Sequence, residues 1–322
     1  MKNVLARSPQ ETEEASPAEI VSPRSITNYY LYDVVWGATH WAAVGSGSLN
    51  EAVVLMSSDG ATWGKLSLGK SRELLSLSKK GPGTLYGIAW NGSRFVAVGE
   101  KLLTSRDGSE WSVAAEFAQC KLTRVTTNGT MFVAVGGYYH NGCVVTSPDG
   151  MSWTDRTANL SGEGALLTDV IWTGVAFVAL GNVNRGKFGM TALVFTSADG
   201  NTWTRQSVAN VFLMSLTWNG SLLIGVGGVA RQGNIFSSAD GKSWTRSRIQ
   251  VSNPLRSVTW NGQRFVAVGV RGEILTSPDG QTWTKQSSNT TRDLLRVAWN
   301  GTHFVAVGRG IIIRSADGLK WA

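Results

Sequence analysis

The stretch Ser257–Trp283, SVTWNGQRFVAVGVRGEILTSPDGQTW, decides the fold. It holds three short apolar runs, SVTW, FVAV and EILT, separated or followed by an Asn-Gly turn, a glycine and a Pro-Asp-Gly turn. A tryptophan then opens a fourth run. β-Branched and aromatic runs broken by such turns read as antiparallel strands joined tightly end to end. The first half, WNGxxFVAVG, recurs around Trp36 (degenerate, as WGATHWAAVG), Trp90, Thr127, Trp172, Trp218, Trp260 and Trp299. The second half, SxDGxxW, recurs with its aspartate at Asp59, Asp107, Asp149, Asp199, Asp240, Asp279 and Asp317. The halves alternate strictly, seven copies of each. A four-stranded unit cannot bury both faces alone, whereas units stacked radially bury all but the rim. The fold class is therefore all-β: a seven-bladed β-propeller of four-stranded antiparallel blades.

Spacing separates scaffold from decoration. Nine residues run from the turn Trp (or Thr127) to the Gly of FVAVG in every copy, and four from the Asp to the Trp of SxDGxxW. The other two connections vary, from 6 residues (Gly99–Ser105) to 16 (Gly181–Ser197), and from 15 (Trp203–Trp218) to 27 (Trp63–Trp90). With strands named A (LRSVTW), B (RFVAVG), C (EILTS) and D (TWTKQ), the A–B and C–D turns are fixed and the B–C and D–A loops vary. Alternate turns of an up-and-down blade lie on opposite faces, so one face collects every variable loop. Loops on a rigid scaffold carry function, which makes that face the candidate site.

The box SxDGxxW resembles the Asp-box, or bacterial neuraminidase repeat, of sialidase, glycosidase and photosystem II assembly-factor propellers. The family pattern S-x-D-x-G-x-x-W has one more residue between Asp and Gly than any copy here. In the box the Asp side chain caps the turn's own N–H groups, Gly supplies positive φ, and Trp covers the turn. All seven box aspartates are accordingly read as structural. A sialidase would need an arginine triad, a Tyr/Glu pair, an acidic acid/base and usually an Arg-Ile-Pro motif, which is not in the sequence. Blade count places the likeness nearer the assembly-factor branch.

The remaining chemistry favours binding over catalysis. A glycosidase needs two carboxylates roughly 5–10 Å apart. Outside the boxes the best placed are Asp33 and Asp169, at one repeat position on strand A, read as hydrogen-bonded channel residues. His40 and His303 share a position held elsewhere by Arg94, Met131, Ala176, Leu222 and Arg264, which reads as surface near the A–B turn. The variable loops hold Tyr138, Tyr139, His140, Asn141, Arg185, Lys187, Arg231, Arg271 and Arg309, with Arg124 and Arg296 around the channel. Arg and Tyr combine area with directional hydrogen bonds, so these are the candidate partner-binding residues. No catalytic residue, metal ligand or cofactor is assigned.

The chain has 322 residues and a net charge of +8. A charge of this size biases association toward anions without specifying nucleic acid, for which no motif exists. The expected partner is an acidic protein or peptide, with a glycan as the alternative, bound by a non-enzymatic, monomeric scaffold. A lectin or phage-type receptor binder ranks second and a glycoside hydrolase third. No run reaches the ~18–20 apolar residues of a membrane span, and the N-terminus lacks a signal-peptide core. The expectation is thus a cytoplasmic protein, or one delivered by a non-classical route. Residues 1–17 read as a flexible acidic tail and 18–322 as one propeller domain. Cys120 and Cys143 read as two separate thiols rather than a disulfide. Four of the six N-x-S/T sequons are the repeat's own turn and carry no message about secretion. Counting back from Trp36 lands on Ile20, so the segment Ala18–Ser22 is expected to close the ring as the outer strand of blade seven, beside Ile311–Arg314.

Overall fold

The two invariant turns fold locally. In the Asn-Gly turn of blade two, Asn91 Oδ1 accepts the N–H groups of Ser93 (3.0 Å) and Arg94 (2.9 Å). Gly92 completes the turn at φ +100°, where a side chain would be strained. In the Asp-Gly turn, Asp279 Oδ1 accepts the N–H groups of Gln281 (2.8 Å) and Thr282 (2.7 Å). The Ser277 hydroxyl donates to the same oxygen and accepts the Gly280 N–H, and the Trp283 indole donates to the Gly280 carbonyl (3.1 Å). Backbone N–H donation holds the Asp59 and Asp279 carboxyls down at about 2. Asp107, Asp149, Asp199, Asp240 and Asp317 are lowered for the same reason.

The computed structural model describes residues 19–21, 26–66, 68, 83–117, 119–138, 141–157, 160, 165–184, 186, 189–209 and 211–322. They form seven antiparallel sheets in chain order, with one short 3-10 turn at Val270–Gly272. Blade two is typical: Leu85–Trp90, Phe95–Gly99, Leu102–Ser105 and Ser112–Ala115 lie side by side in that order. Successive A strands contact one another around the ring, and that of blade one (Tyr30–Gly37) meets that of blade seven (Leu294–Trp299).

The FVAV strands are buried on both faces because each sheet is sandwiched between two others. Among the described residues, seven buried clusters each join neighbouring blades. One joins blades six and seven through Val266, Val268, Ile274, Phe304, Ala306 and Trp321. Another spans the seam, packing Val305 and Val307 of blade seven on Leu31, Val34 and Trp41 of blade one. The seam also carries a Tyr30–Arg309 bridge and a bond from Gly310 N–H to the Tyr29 carbonyl (2.8 Å).

The structure corrects two expectations here. Glu19–Val21 is a strand, but it pairs with Trp63–Lys65 at the outer edge of blade one, not with Ile311–Arg314. Blade one thus has five strands and blade seven three, with Ala322 bonded to Arg314 where a fourth would begin. Val21 explains the choice, since its side chain is buried beside Leu31 and Trp63 in the seam cluster. The residue after the Asn-Gly turn is also more than surface. Arg94, Met131, Leu222 and Arg264 lie over the box glycines Gly150, Gly200, Gly280 and Gly318 of the following blade, leaving no free space for a Cβ there. The expected acidic tail, 1–17, lies outside the described residues.

Candidate binding face

Every A strand carries a bulge at one place, where its pairing with strand B skips a residue: between Leu31 and Asp33, and likewise in the other six blades. A bulge re-aims the side chain that follows it. The re-aimed residues are Asp33, Gly87, Arg124, Asp169, Ser215, Ser257 and Arg296. They ring the channel mouth, at the end of strand A from which the variable loops spring. Four of them tie their blade to the next. Asp33 accepts the N–H of Ile88 (3.0 Å), Asp169 that of Leu216 (2.9 Å), Ser215 that of Val258 and Ser257 that of Val297.

Arg296 reaches across the mouth from blade seven. Its Nε lies 3.0 Å from Asp33 and its Nη1 3.4 Å from Asp169, with Ser215 Oγ also at 3.4 Å. Burial opposes its charge, but Asp169 and Asp33 outweigh burial and raise its pKa. Arg124 occupies the space that Gly87 leaves beside it and donates to the Tyr86 and Thr123 carbonyls. Burial, then repulsion from Arg296, lowers its pKa. Its Nε is 3.9 Å from Asp169. The two expected channel arginines are therefore committed to internal partners. Both carboxylates are likewise occupied by backbone N–H groups and guanidinium.

A second arginine group stands outside the channel, between blades six and seven. Asp293 Oδ1 accepts the N–H of Arg271 (3.0 Å), and Asp293 Oδ2 lies 3.5 Å from Arg309 Nε. Arg309 N–H donates to the Asp293 carbonyl, and the Arg309 guanidinium lies 5.4 Å from the centre of the Tyr30 ring. Arg292 Nη1 is 3.5 Å from the Arg309 carbonyl. Arg256 is half-buried with its Nε unpartnered. Burial lowers its pKa, Asp293 opposes that shift, and Arg309 adds to it. Arg271 holds φ +58°, unusual for a side-chain-bearing residue, and Asp293 is what pins it there. An open groove of ≈ 560 Å³ adjoins the group, lined by Arg271, Arg292, Ser287, Ser288, Thr290 and Thr291.

The opposite sector, at blades two and three, holds a cleft of ≈ 600 Å³ lined by Phe117, Tyr138, Asn141 and Asp155. A disulfide joins Cys120 to Cys143 in its wall, Cα atoms 5.9 Å apart, which corrects the reading of two separate thiols. The residues are 23 apart in sequence and have no cysteine counterpart in other blades. What unites them is the D–A loop folding back over strand C. Glu116 in that loop pairs with buried Lys101 (2.7 Å), and Lys121 lies 4.6 Å from the Tyr86 ring centre, which in turn packs on Tyr32.

Of the sequence candidates, Arg271 and Arg309 come together, Tyr138 and Asn141 share the blade-three cleft, and Arg231 stands exposed on the blade-five turn. Tyr139, His140, Arg185 and Lys187 lie outside the described residues. Sequence reasoning missed Arg256, Arg292 and Tyr30. Arg256 is the residue skipped at the blade-six bulge, a position the repeat alignment exposes but whose direction it does not. Among the described residues, no group of three or more His, Cys, Asp or Glu converges to hold a metal, and no helix is long and apolar enough to cross a membrane.

No family model matches the chain, and no curated protein does. Solved structures do match. YCF48 from Cyanidioschyzon merolae superposes with a TM-score of 0.65 at 15% identity, over 92% of this chain and 98% of that one. YCF48 bound to D1 peptide gives 0.67 at 16%, over 92% and 94%. The WD40 β-propeller domain of Doa1 gives 0.64 at 10%, over 89% and 92%. At these identities the likeness is one of fold.

Proposed function

We propose that this protein is a non-enzymatic scaffold that binds a protein partner through the basic, loop-variable face. One observation carries the reading: Arg271, Arg292 and Arg309 on loops of that face and Arg256 on the adjoining strand cluster near Asp293, the carboxylate that Arg271 N–H and Arg309 Nε engage. The box aspartates, whose carboxylates are taken by their own turns, lie away from this group. Exposed arginines beside an aromatic ring such as Tyr30 are typical anchors of protein interfaces. A propeller of the same fold, YCF48, has been captured with a peptide, which makes peptide binding a reasonable use of this architecture. The channel carboxylates are saturated by internal donors, which argues against acid–base work there.

The test is partner capture from the native source with Arg271→Glu/Arg309→Glu beside the unaltered protein. The reading expects a specific protein retained by the unaltered protein and lost by the variant, with both melting alike. Equal retention would refute the basic face. The exposed Tyr138 and Asn141 favour a second reading, a glycan bound in the blade-three cleft. A glycan array decides it: a defined sugar hit abolished by Tyr138→Ala supports the lectin, and silence rejects it.

A further inference from the structure

The arginine group at blades six and seven carries a charge surplus that, among the described residues, no carboxylate other than Asp293 offsets. Asp293 is engaged by Arg271 N–H and Arg309 Nε, with Arg292 on the Arg309 carbonyl and Arg256 electrostatically coupled to Asp293. The neighbouring carboxylate of Glu273 is buried and spent elsewhere, on Lys285 (2.9 Å) and Asn253 (2.7 Å). Burial works against the Arg256 charge, Asp293 favours it and Arg309 opposes it, and Arg256 Nε lacks a partner. Arg271 is held at positive φ on the groove rim. Sites that keep such backbone strain are commonly functional.

We infer that this cluster is a subsite for a phosphomonoester dianion carried by the protein partner. The inference rests on the basic-face reading and narrows it. A partner carboxylate brings one negative charge and two oxygens in one plane. A phosphomonoester brings about −1.5 to −2 at neutral pH and three acceptor oxygens directed apart. Four arginines on four separate segments, the bulged strand and three loops, suit the second shape better than the first. A phosphodiester, with a single charge, neutralises the surplus no better than a carboxylate does.

The test measures binding of a short Gly–Ser peptide bearing one phosphoserine to the full chain, at constant ionic strength. Arms with an acidic peptide of equal charge, a sugar monophosphate and duplex DNA run beside it. At about pH 7.5 the phosphopeptide should bind about tenfold or more tightly than the acidic peptide. The preference should shrink near pH 5.5, below the phosphate's second pKa of about 6. Arg309→Lys, which keeps the charge but loses the fork, should lower the preference several-fold, whereas Lys242→Ala on the fixed face should not. A sugar monophosphate binding as tightly would support the subsite and move its source to a small molecule. Equal affinity for the acidic peptide would overturn the phosphate assignment and leave the basic face intact. DNA binding as tight as the phosphopeptide, or no phosphopeptide binding at all, would also overturn the assignment. The fate of the basic face itself is read separately, from partner capture.

Discussion

At the scale of single residues, the same side chain does different work in different blades. The Trp283 indole donates to the Gly280 carbonyl, whereas the Trp153 Nε1 is buried without a partner. A hydrogen bond nets about 1 kcal/mol, and an unmade one costs its desolvation. Trp283→Phe should therefore destabilise by about 1 kcal/mol more than Trp153→Phe, as compared by chemical denaturation. Arg271 presents the reverse case, a residue whose backbone works against stability. Arg271→Gly relieves the left-handed strain and should leave the protein unchanged or up to about 1 kcal/mol more stable, while weakening partner binding. Instability matching that of a core substitution would show that Arg271 supports the fold. The box carboxyls respond to acid. Their folded pKa is depressed, to about 2 for Asp59 and Asp279, so the stability they add is present above the unfolded value near 4 and is lost as pH falls toward 2. Thermal melts should be flat above about pH 5 and fall below about pH 4, less steeply in Asp279→Asn. These turns were legible from sequence because each closes within a few residues. The Cys120–Cys143 bond was not, because it depends on where a loop returns.

At the scale of elements, strand order was legible and strand partnership at the ends was not. Each blade's four runs fix their own antiparallel order through turns of constant length, but an end strand of three residues chooses its edge by side-chain burial. Glu19–Val21 chose blade one because Val21 enters the seam cluster. Removing residues 1–24 should therefore raise amide exchange at Trp63–Lys65 while leaving Ile311–Ser315 protected as before. Increased exchange in blade seven instead would restore the closure first expected. The strand-A bulge was equally invisible in the text of the repeat, though all seven blades have it. Alternation places Asp33, Asp169, Arg124 and Arg296 at one register position, and only the bulge turns that register into a ring. Of the channel arginines, read from sequence as partner contacts, Arg296 links four blades through Asp33, Asp169 and Ser215, and Arg124 donates to the Tyr86 and Thr123 carbonyls.

At the scale of the whole molecule, the box aspartates lie on the face of fixed turns, and the group of Arg271 and Arg309 stands on the face of variable loops. A cluster of exposed arginines orients an approaching anion before contact. Association with the partner should slow as ionic strength rises through the physiological range, where exposed charges are screened beyond ~8 Å, while dissociation changes little. Arg309→Glu should flatten that slope, as measured by stopped-flow mixing, and a slope unchanged by this variant would place the steering elsewhere. The seam between blades seven and one adds a consequence in time. Within a blade, partners lie a few residues apart, so each sheet can assemble as soon as its own segment is available. The Tyr30–Arg309 bridge and the packing of Leu31 on Val305 and Val307 join opposite ends of the sequence, and they wait for everything between. Distant contacts form slowly because loop closure precedes their reward. Folding should thus run as quick local zippering followed by one late step, and until that step the flank of blade one stays bare, the interval in which the chain most needs protection from its neighbours.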